Sequence, residues 1–272
     1  MTVIPVLALE YSMTELCRIL ADSFNESLTP FALPPDMFAS RFISEGLSLE
    51  DSCVWLVNGN PAAIAIVTRR MDKARLAAFG VLPEYRSQGL AKQMLTPLFI
   101  SLKEKKLSSV RLEVLRENSR AVALYHALGF QVRRHLRKYR GDPHSHSEKT
   151  SGDMEYMTAD DFLRTVSSAP EDDLPWLASP LPLLTIPCHI LRDNEHAWCA
   201  VAECMGQPQL RGLFVEPAYR YQGRAKTMLK KINARWPGIG TSAAVPETLA
   251  PLFTAAGYQA EPLGQFEMAL TF

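Results

Sequence analysis

The sequence predicts an α/β (α+β) protein of two tandem domains, each with a mixed, mostly antiparallel sheet flanked by helices. A length of 272 residues suits one large domain or two ordinary ones. A strand, a tight polar turn and an amphipathic helix follow one another over residues 79–92. The same pattern returns at residues 215–226, an offset of 134 (223 − 89). This long period indicates a duplicated domain rather than a solenoid.

The first elements are a strand and two helices. Residues 3–9 are predicted to form a strand. Ser12 and Glu15 have the spacing of a capping box, which predicts a helix from this point to Phe24. A loop with three prolines fills residues 25–35, and a second helix begins at Pro35 and runs to about Ser44.

A hairpin begins the central sheet. The pair Asn58-Gly59 is a strong hairpin signal, and it joins predicted strands at residues 53–57 and 62–68. The next strand, residues 74–81, is closed by Pro83, which cannot donate a ladder hydrogen bond. The remaining elements are a helix from Leu90, a strand at 110–114, a helix at 118–128 ending at Gly129, and a strand at 130–139.

The turn from Arg86 to Gly89 has the chemistry of an anion site. The first N–H groups of the following helix have no intrahelical partner, and the helix dipole adds partial positive charge. Gly89 allows close approach of the backbone to a ligand, and Arg86 and Lys92 add formal charge. A phosphate or pyrophosphate is the predicted ligand, although many such turns bind nothing.

Two segments resemble the GNAT superfamily of acyl-CoA N-acyltransferases. Arg86-x-x-Gly89-x-Ala91 is similar to its motif A, and the segment from Asn118 to Phe130 is similar to its motif B. The resemblance implies acetyl-CoA as co-substrate and direct transfer of an acetyl group to an amine. No metal is expected, because the cysteines lack the spacing of zinc ligands. The coenzyme-binding residues that it implies are Val81, Arg86, Ser87, Gln88, Gly89, Leu90, Ala91, Lys92 and Asn118.

The resemblance also implies catalytic roles. Tyr125 matches the family's general acid, and the N–H near Val81 matches the donor to the thioester carbonyl. Glu113 lies twelve residues before Tyr125 (125 − 113), as the base does in the N-terminal acetyltransferases of ribosomal proteins. Other interpretations stay open: Tyr125 as a core aromatic, Glu113 facing water or acting through it, and Asn118 as a helix cap.

The second copy departs from this pattern. Thr241, Pro246 and Phe253 stand where the first copy has Glu113, Asn118 and Tyr125. We therefore expect a catalytic domain at residues 1–141, a linker at 142–152 and a degenerate copy at 153–272. The linker contains His144 and His146, for which a solvated role is favoured over metal binding, and the second hairpin turn falls at Asn194.

The acceptor is expected to be a small-molecule amine or an amine of a peptide or protein. The segment 24–42 is predicted to build its site, with aromatic residues that could equally be core and two carboxylates for a cationic amine. These residues are Phe24, Phe31, Phe38, Phe42, Glu26 and Asp36. Two rival functions are a non-catalytic acyl-CoA-binding or sensing protein and a purely structural partner.

Charge distribution limits the partners. The net charge is zero, which argues against a general nucleic-acid or membrane-surface binder. Residues 1–142 carry 19 Lys and Arg against 14 Asp and Glu (+5), and residues 143–272 carry 10 against 15 (−5). A basic first half suits a polyanionic ligand, although the two halves could simply attract each other. Packing of the two domains as a pseudo-dimer would allow the chain to act as a monomer.

Cysteine usage and hydropathy predict a cytoplasmic protein. The five cysteines are odd in number and form no C-x-x-C pair, which indicates reduced, buried thiols. No run of 18 apolar residues occurs, so no membrane span is predicted. The N-terminus lacks basic residues before its apolar stretch and is therefore not predicted to be a signal peptide.

Overall fold

The computed structural model describes residues 2–25, 33–145, 154–169, 174–193, 196–204 and 206–272. The chain divides into two compact units: unit 1 is Met1–Arg133 with Phe266–Phe272, and unit 2 is Arg134–Gln265. Several residues singled out in the sequence lie outside the described residues. They are Glu26, Phe31, His146 with the rest of the predicted linker from that point, and Asn194.

The first half of the chain contains both helices and strands. Their bounds are β1 (Val3–Leu7), α1 (Met13–Phe24), α2 (Pro35–Ser44), β2 (Cys53–Val57), β3 (Asn60–Arg70), β4 (Lys73–Val81), α3 (Leu90–Glu104), β5 (Ser109–Leu115), α4 (Ser119–Ala127) and β6 (Gln131–Arg140). Each predicted element of this half is present, and most bounds differ from the prediction by one or two residues. The type of element differs at one place: the strand predicted at residues 3–9 ends earlier, and a 3-10 helix forms over Ala8–Glu10.

The second half contains shorter elements. They are β7 (Glu155–Met157), α5 (Ala159–Ser167), β8 (Cys188–Arg192), β9 (Ala197–Cys204), β10 (Gln207–Val215), α6 (Arg224–Arg235), β11 (Gly240–Thr241), β12 (Val245–Pro246), α7 (Ala250–Ala255) and β13 (Gln259–Thr271). Among the described residues between β7 and β8, α5 is the one α-helix, and two 3-10 helices, Trp176–Ala178 and Leu181–Leu184, follow it; the first half has both α1 and α2 before its hairpin. The described residues of the second half therefore contain less α-helix before their hairpin than the first half does.

Unit 1 is a mixed sheet with a hydrophobic core on each face. Its strand order is β1-β2-β3-β4-β5, followed by the last residues of β13. The pairs from β1 to β4 are antiparallel, and β4 pairs with β5 in parallel. One core lies under α1 and α2 and contains Leu16, Leu20 and Ile64. The other lies under α3 and α4 and contains Leu95, Phe99, Leu112, Tyr125 and Phe130.

Local signals explain where helix α1 begins. Ser12 precedes the first helical residue, and its hydroxyl accepts a hydrogen bond from the Glu15 amide at 3.2 Å. The Glu15 carboxylate in turn accepts from the Ser12 amide at 2.8 Å. The predicted capping box is therefore confirmed, and it satisfies two of the helix's orphan donors.

The strands of unit 2 are also mixed in direction. The strand order is β6-β11-β10-β9-β8-β7, and β12 also pairs with β6. Antiparallel pairs dominate, while β10 and β11 are parallel. The prediction of a mixed, mostly antiparallel sheet flanked by helices is confirmed, and the structure joins the strands of both units in one order.

The units do not coincide with continuous halves of the chain. Residues 134–140 belong to unit 2, and Phe266–Phe272 belong to unit 1. The side chains of Phe266, Met268, Leu270 and Phe272 pack in the core beneath α3 and α4. A division drawn along the sequence assigns only continuous segments, so it could not anticipate this exchange. The assignment of residues 1–141 as the catalytic domain and of residues 153–272 as a degenerate copy stays a prediction.

Candidate active site

Strands β4 and β5 separate near the middle of unit 1. They pair in parallel from Lys73 with Ser109 to Arg75 with Arg111, and the ladder ends there although both strands continue. The pairing of β4 with β3 shifts by one residue between Leu76 and Ala78, which makes Ala77 a β-bulge. A bulge bends its strand and increases its twist. The result is an opening between the C-terminal ends of β4 and β5.

The Val81 amide points toward this opening. The Leu82 N–H donates to the Ala62 carbonyl at 2.9 Å, so Leu82 faces β3. Main-chain groups of an antiparallel strand alternate in direction, and the groups of Val81 therefore point away from β3, toward β5. Consistent with this, the Val81 carbonyl accepts from Nε of Arg86, at 3.0 Å, and not from β3. The predicted location of a carbonyl donor near Val81 is compatible with this geometry.

The turn after β4 ends at an uncapped helix. Ser87 has φ of 61° and Gly89 has φ of 75°, both in the left-handed region. Gly89 is the N-cap of α3, and no side chain caps the helix there. A Cβ built on Gly89 would meet no atom within 4 Å. The first amides of α3 therefore open onto free space, and no acidic residue lies in the first turn to compete with an anion.

Arg86 and Gln88 make contacts within the protein. Besides the Val81 carbonyl, the Arg86 guanidinium donates to the carbonyls of Ser23, at 3.2 Å, and Asn25, at 3.0 Å. Arg86 thus fastens the C-terminal end of α1 to the end of β4, and it supplies donors to carbonyls that a helix end leaves unsatisfied. The Gln88 amide donates to the Glu84 carbonyl at 2.9 Å. Direct contact of either side chain with a coenzyme stays a prediction, as it does for exposed Lys92.

The end of α1 approaches β4 closely at Gly80. A Cβ on this residue would lie 2.0 Å from the Ser23 hydroxyl oxygen, so only glycine fits. Ser23 itself donates to the Leu20 carbonyl at 2.8 Å. This contact and the Arg86 contacts fix the turn relative to the sheet.

Tyr125 is a buried core residue with a proton held firmly on its hydroxyl. The residue is 7% exposed, and its ring packs edge-on against Phe130 with centroids 5.8 Å apart. Burial raises the pKa of Tyr125 above its ordinary value, because the phenolate would be poorly solvated. The hydroxyl is therefore protonated at neutral pH, as a proton donor must be. Tyr125 can therefore be both a core aromatic and a general acid.

Asn118 caps helix α4. Its side-chain oxygen accepts from the Ala121 amide at 3.1 Å. This is the helix-cap role that the sequence left open. The predicted contact of Asn118 with the coenzyme arm stays a prediction.

Glu113 belongs to a buried ion cluster. One oxygen, Oε2, accepts from Nε of Arg75 at 2.6 Å, and Arg75 Nη1 donates to Glu45 at 2.8 Å. The side chains of all three are at most 6% exposed, so the alternative that Glu113 faces water is wrong. Burial lowers the pKa of Arg75, but the carboxylates of Glu113 and Glu45 outweigh it and raise the pKa overall. Burial lowers the pKa of neighbouring Arg70 to about 10.

The second oxygen of Glu113 is available for another donor. Its Oε1 is buried and has no hydrogen-bond partner among the described residues. Leu112 and Val114 pack in the core under α3 and α4 with Tyr125, so by strand alternation Glu113 projects from the opposite face of the sheet. Within the described residues no hydrogen bond joins Glu113 to Tyr125. The opening between β4 and β5 is the path between these two faces.

The predicted acceptor segment contributes core residues. Phe38 and Phe42 are fully buried, and their rings pack edge-on at 4.9 Å. They cannot line an acceptor site, so that expectation is wrong for these two aromatics. Their spacing of four residues on an amphipathic helix is the signal that favoured a core role. Phe24 is partly exposed, and Asp36 is exposed.

Unit 2 repeats the turn but rearranges the aromatic pair. Phe253 packs edge-on against Tyr258 with centroids 5.6 Å apart, as Tyr125 does against Phe130. In unit 2 the hydroxyl therefore belongs to the second residue of the pair, Tyr258, and it donates to the Leu229 carbonyl at 3.1 Å. The hydroxyl of Thr241 accepts from the Tyr139 amide and donates to the Ser242 carbonyl.

Comparison with known proteins fits this geometry. Residues 13–130 match the model of the Acetyltransferase (GNAT) family. Over this segment, which is less than half of the chain, the sequence is similar to the GNAT family. The tandem GNAT protein from the clavulanic acid biosynthesis pathway superposes with a TM-score of 0.68 at 11% identity, covering 99% of this chain and 98% of that one. A GCN5-related N-acetyltransferase from Sphaerobacter thermophilus gives a TM-score of 0.69 at 14% identity, with 99% and 95% covered. At such identities the likeness shows the fold alone.

Curated relatives match about a third of the chain. The [ribosomal protein bS18]-alanine N-acetyltransferase of Escherichia coli strain K12 is 38% identical over 82 residues, which are 30% of this chain and 55% of that protein. The enzyme of the same name from Salmonella typhimurium strain LT2 is 32% identical over 87 residues, with 32% and 59% covered. The chain thus spans little more than half the length of these relatives. Among the described residues, no helix is long and apolar enough to cross a lipid bilayer.

Proposed function

We propose that the GNAT domain in unit 1 transfers an acetyl group from acetyl-CoA to an amine, and that residues 153–272 do not catalyse this reaction. One observation carries the proposal: the uncapped start of α3 opens beside the separated ends of β4 and β5. A pyrophosphate on the α3 amides is stabilised by N–H donors and the helix dipole. The thioester arm that it carries then extends into the opening between the strands.

Three protein groups take part in the reaction: the Val81 N–H, the Tyr125 hydroxyl and the Glu113 carboxylate. Acetyl-CoA supplies an activated acyl carbon. The Val81 N–H donates to the carbonyl oxygen as negative charge develops there during attack by the amine. As the carbon–nitrogen bond forms and the carbon–sulfur bond breaks, the Tyr125 hydroxyl gives its proton to the sulfur. The proton lost by the amine passes to Glu113, directly or through water, and returns Tyr125 to its protonated state by way of solvent.

The ion cluster defines what Glu113 contributes. Its Oε2 accepts from Arg75, which stabilises the carboxylate, while Oε1 has no hydrogen-bond donor within the described part of the chain. An acceptor ammonium or a water molecule can supply that missing donor. Arg75 and Glu45 are then positioning residues, because they hold the carboxylate in one orientation without contacting the acceptor. Sequence reasoning missed both; the only signal was one arginine within the apolar run 74–78.

An amine of a polypeptide is the acceptor class that the relatives favour. The curated relatives are named for alanine of ribosomal protein bS18. A small-molecule amine is the alternative, since a fold does not fix its substrate. A cytoplasmic location agrees with either acceptor and stays a prediction.

The test is a panel of amines with acetyl-CoA, in which acetylated product is followed by mass spectrometry. The panel holds peptides that begin with alanine, the same peptides with a blocked N-terminus and an internal lysine, and small polyamines. Product detection avoids the background that the exposed thiol of Cys204 would give in a thiol-release assay. Coenzyme binding without acetylation of any amine would favour the rival acyl-CoA-binding or sensing protein. Failure to bind would favour the structural one.

Replacing Gly89 by glutamate should abolish the coenzyme site. The new carboxylate would occupy the free space at the start of α3 and repel the pyrophosphate, and we expect affinity for CoA to fall about 100-fold or more, as for the loss of charged hydrogen bonds. Calorimetry with CoA measures the change.

Gly59→Glu is the matched control. Gly59 has φ of 81° and open space around its Cβ position, but it lies in the hairpin between β2 and β3. Both variants therefore carry the strain of a side chain at positive φ. Equal affinities in the two variants would show that the pyrophosphate binds elsewhere.

A further inference from the structure

Unit 2 contains a cavity of about 620 Å³. This volume is within the range of sites for small molecules and cofactors. The wall at one end is formed by the turn after β10, including Tyr221 and Gly223. The wall at the other end is formed by apolar side chains of α5 and the segment that follows it, including Phe162, Val166 and Leu183.

The cavity passes through a gap in the sheet. Strands β10 and β11 pair only at Gln209 with Gly240 and Leu210 with Thr241, after which β10 continues to Val215. A bulge falls at Arg211, where the pairing with β9 shifts between Leu210 and Gly212. Lining residues come from both faces of the sheet, since Phe162 belongs to the core under α5 and Phe253 to the core under α6 and α7. An extended ligand can therefore reach from one face to the other.

The charge of the wall is uniformly positive. Arg211, Arg220, Arg224 and Lys226 line the cavity, and among the described lining residues there is no Asp or Glu. This arrangement contrasts with residues 143–272 as a whole, which carry 10 Lys and Arg against 15 Asp and Glu. A basic wall in an acidic segment is complementary to an anion. Arg211 occupies the bulge position at which unit 1 has Ala77, it lines the cavity, and its Nη1 donates to the Gln209 side-chain oxygen at 3.3 Å.

The turn at the basic end has kept the geometry of its counterpart. Tyr221 has φ of 62° and Gly223 has φ of 82°, against 61° and 75° for Ser87 and Gly89. Nε of Arg220 donates to the Val215 carbonyl at 3.0 Å, the same distance as between Arg86 and Val81. A Cβ on Gly223 would meet nothing within 4 Å. Replacement of the catalytic positions therefore left this end of the site intact.

We propose that unit 2 binds an acyl chain joined to a phosphate-bearing carrier, and holds this ligand without transferring the acyl group. The phosphate end lies at Gly223 with Arg224 and Lys226, and the acyl chain passes Arg211 and lies against Phe162 and Leu183. The acyl group is not transferred, because Phe253 has no proton to donate and the Tyr258 hydroxyl donates its hydrogen bond to the Leu229 carbonyl. Unit 2 thus has a ligand class set by its own apolar end, separate from the acetyl donor of unit 1.

Calorimetry of the full chain with octanoyl-CoA tests the site. We expect each chain to bind two equivalents of octanoyl-CoA. Gly223→Glu should keep only the equivalent bound by unit 1, and Gly89→Glu should keep only the equivalent bound by unit 2. Gly257→Glu is the matched control in unit 2, since Gly257 has φ of 88°, open space around its Cβ position and no place in the cavity wall. One equivalent that is lost in Gly89→Glu and unchanged in Gly223→Glu would overturn the proposal.

Two further arms test the ligand class. Ala178→Phe fills the apolar end, so it should weaken octanoyl-CoA about 10-fold or more at the Gly223 site and leave CoA unchanged there. If octanoate binds this site as tightly as octanoyl-CoA, the proposal that the ligand includes a phosphate-bearing carrier is refuted. Equal weakening of CoA and octanoyl-CoA would overturn the acyl-chain assignment. Acetylation by unit 1 is measured separately, so absence of turnover with both sites filled would refute the proposed function alone.

Discussion

Replacing Tyr125 by phenylalanine is expected to reduce turnover about 10²–10⁴-fold while CoA affinity and folding stay nearly unchanged. The change removes one hydroxyl and keeps the ring that packs against Phe130. The loss should therefore appear in kcat with acetyl-CoA and the best amine of the panel, and not in the binding constant from calorimetry. Because burial raises the pKa of Tyr125 above 10, turnover should show no loss from ionisation of this group below pH 10.

The reciprocal variant Phe253→Tyr is the matched control. It adds the same hydroxyl at the same place after the same turn, yet Thr241 and Pro246 still stand where unit 1 has Glu113 and Asn118. We expect no second active site, so Phe253→Tyr combined with Tyr125→Phe should be as slow as Tyr125→Phe alone. Full activity in Tyr125→Phe would refute the acid role, and rescue by Phe253→Tyr would transfer the chemistry to unit 2.

The sequence predicts the fold of each unit well because its signals are local. Alternation, the pair Asn58-Gly59 and the Ser12 capping box each act within a few residues, and each appears where expected. The turn at Gly89 could likewise be predicted, since a left-handed glycine before an apolar helix is a local requirement.

The parts that could not be predicted depend on contacts distant in sequence. Glu113 and Arg75 are 38 residues apart, and Arg75 and Glu45 are 30 apart, so no spacing rule joins them. The placement of Phe266–Phe272 in unit 1 depends on which strand accepts the end of the chain. The charge of Arg86 predicts contact with an anionic ligand, whereas three hydrogen bonds of its guanidinium go to carbonyls at the end of α1 and at Val81.

Arg75→Met is expected to lower the free energy of unfolding of unit 1 by about 3–5 kcal/mol, the cost of removing the cation from a buried ion cluster. The guanidinium is 3% exposed and serves both Glu45 and Glu113. Methionine fills a similar volume but cannot donate, so two carboxylates would be left close together in the interior. Denaturant unfolding of the full chain, followed by a probe in unit 1 such as the fluorescence of Trp55, measures the loss.

Two comparisons separate this effect from a general loss of packing. Arg18→Met removes a surface pair with Asp22, with side chains 67% and 45% exposed, and should change stability by less than about 0.5 kcal/mol. Arg75→Met combined with Glu45→Gln and Glu113→Gln removes the buried charges as well, and should recover much of the loss. A loss as small as that of Arg18→Met would mean that the cluster is solvated, and Glu113 would then have to be oriented for catalysis by the acceptor or water rather than by Arg75.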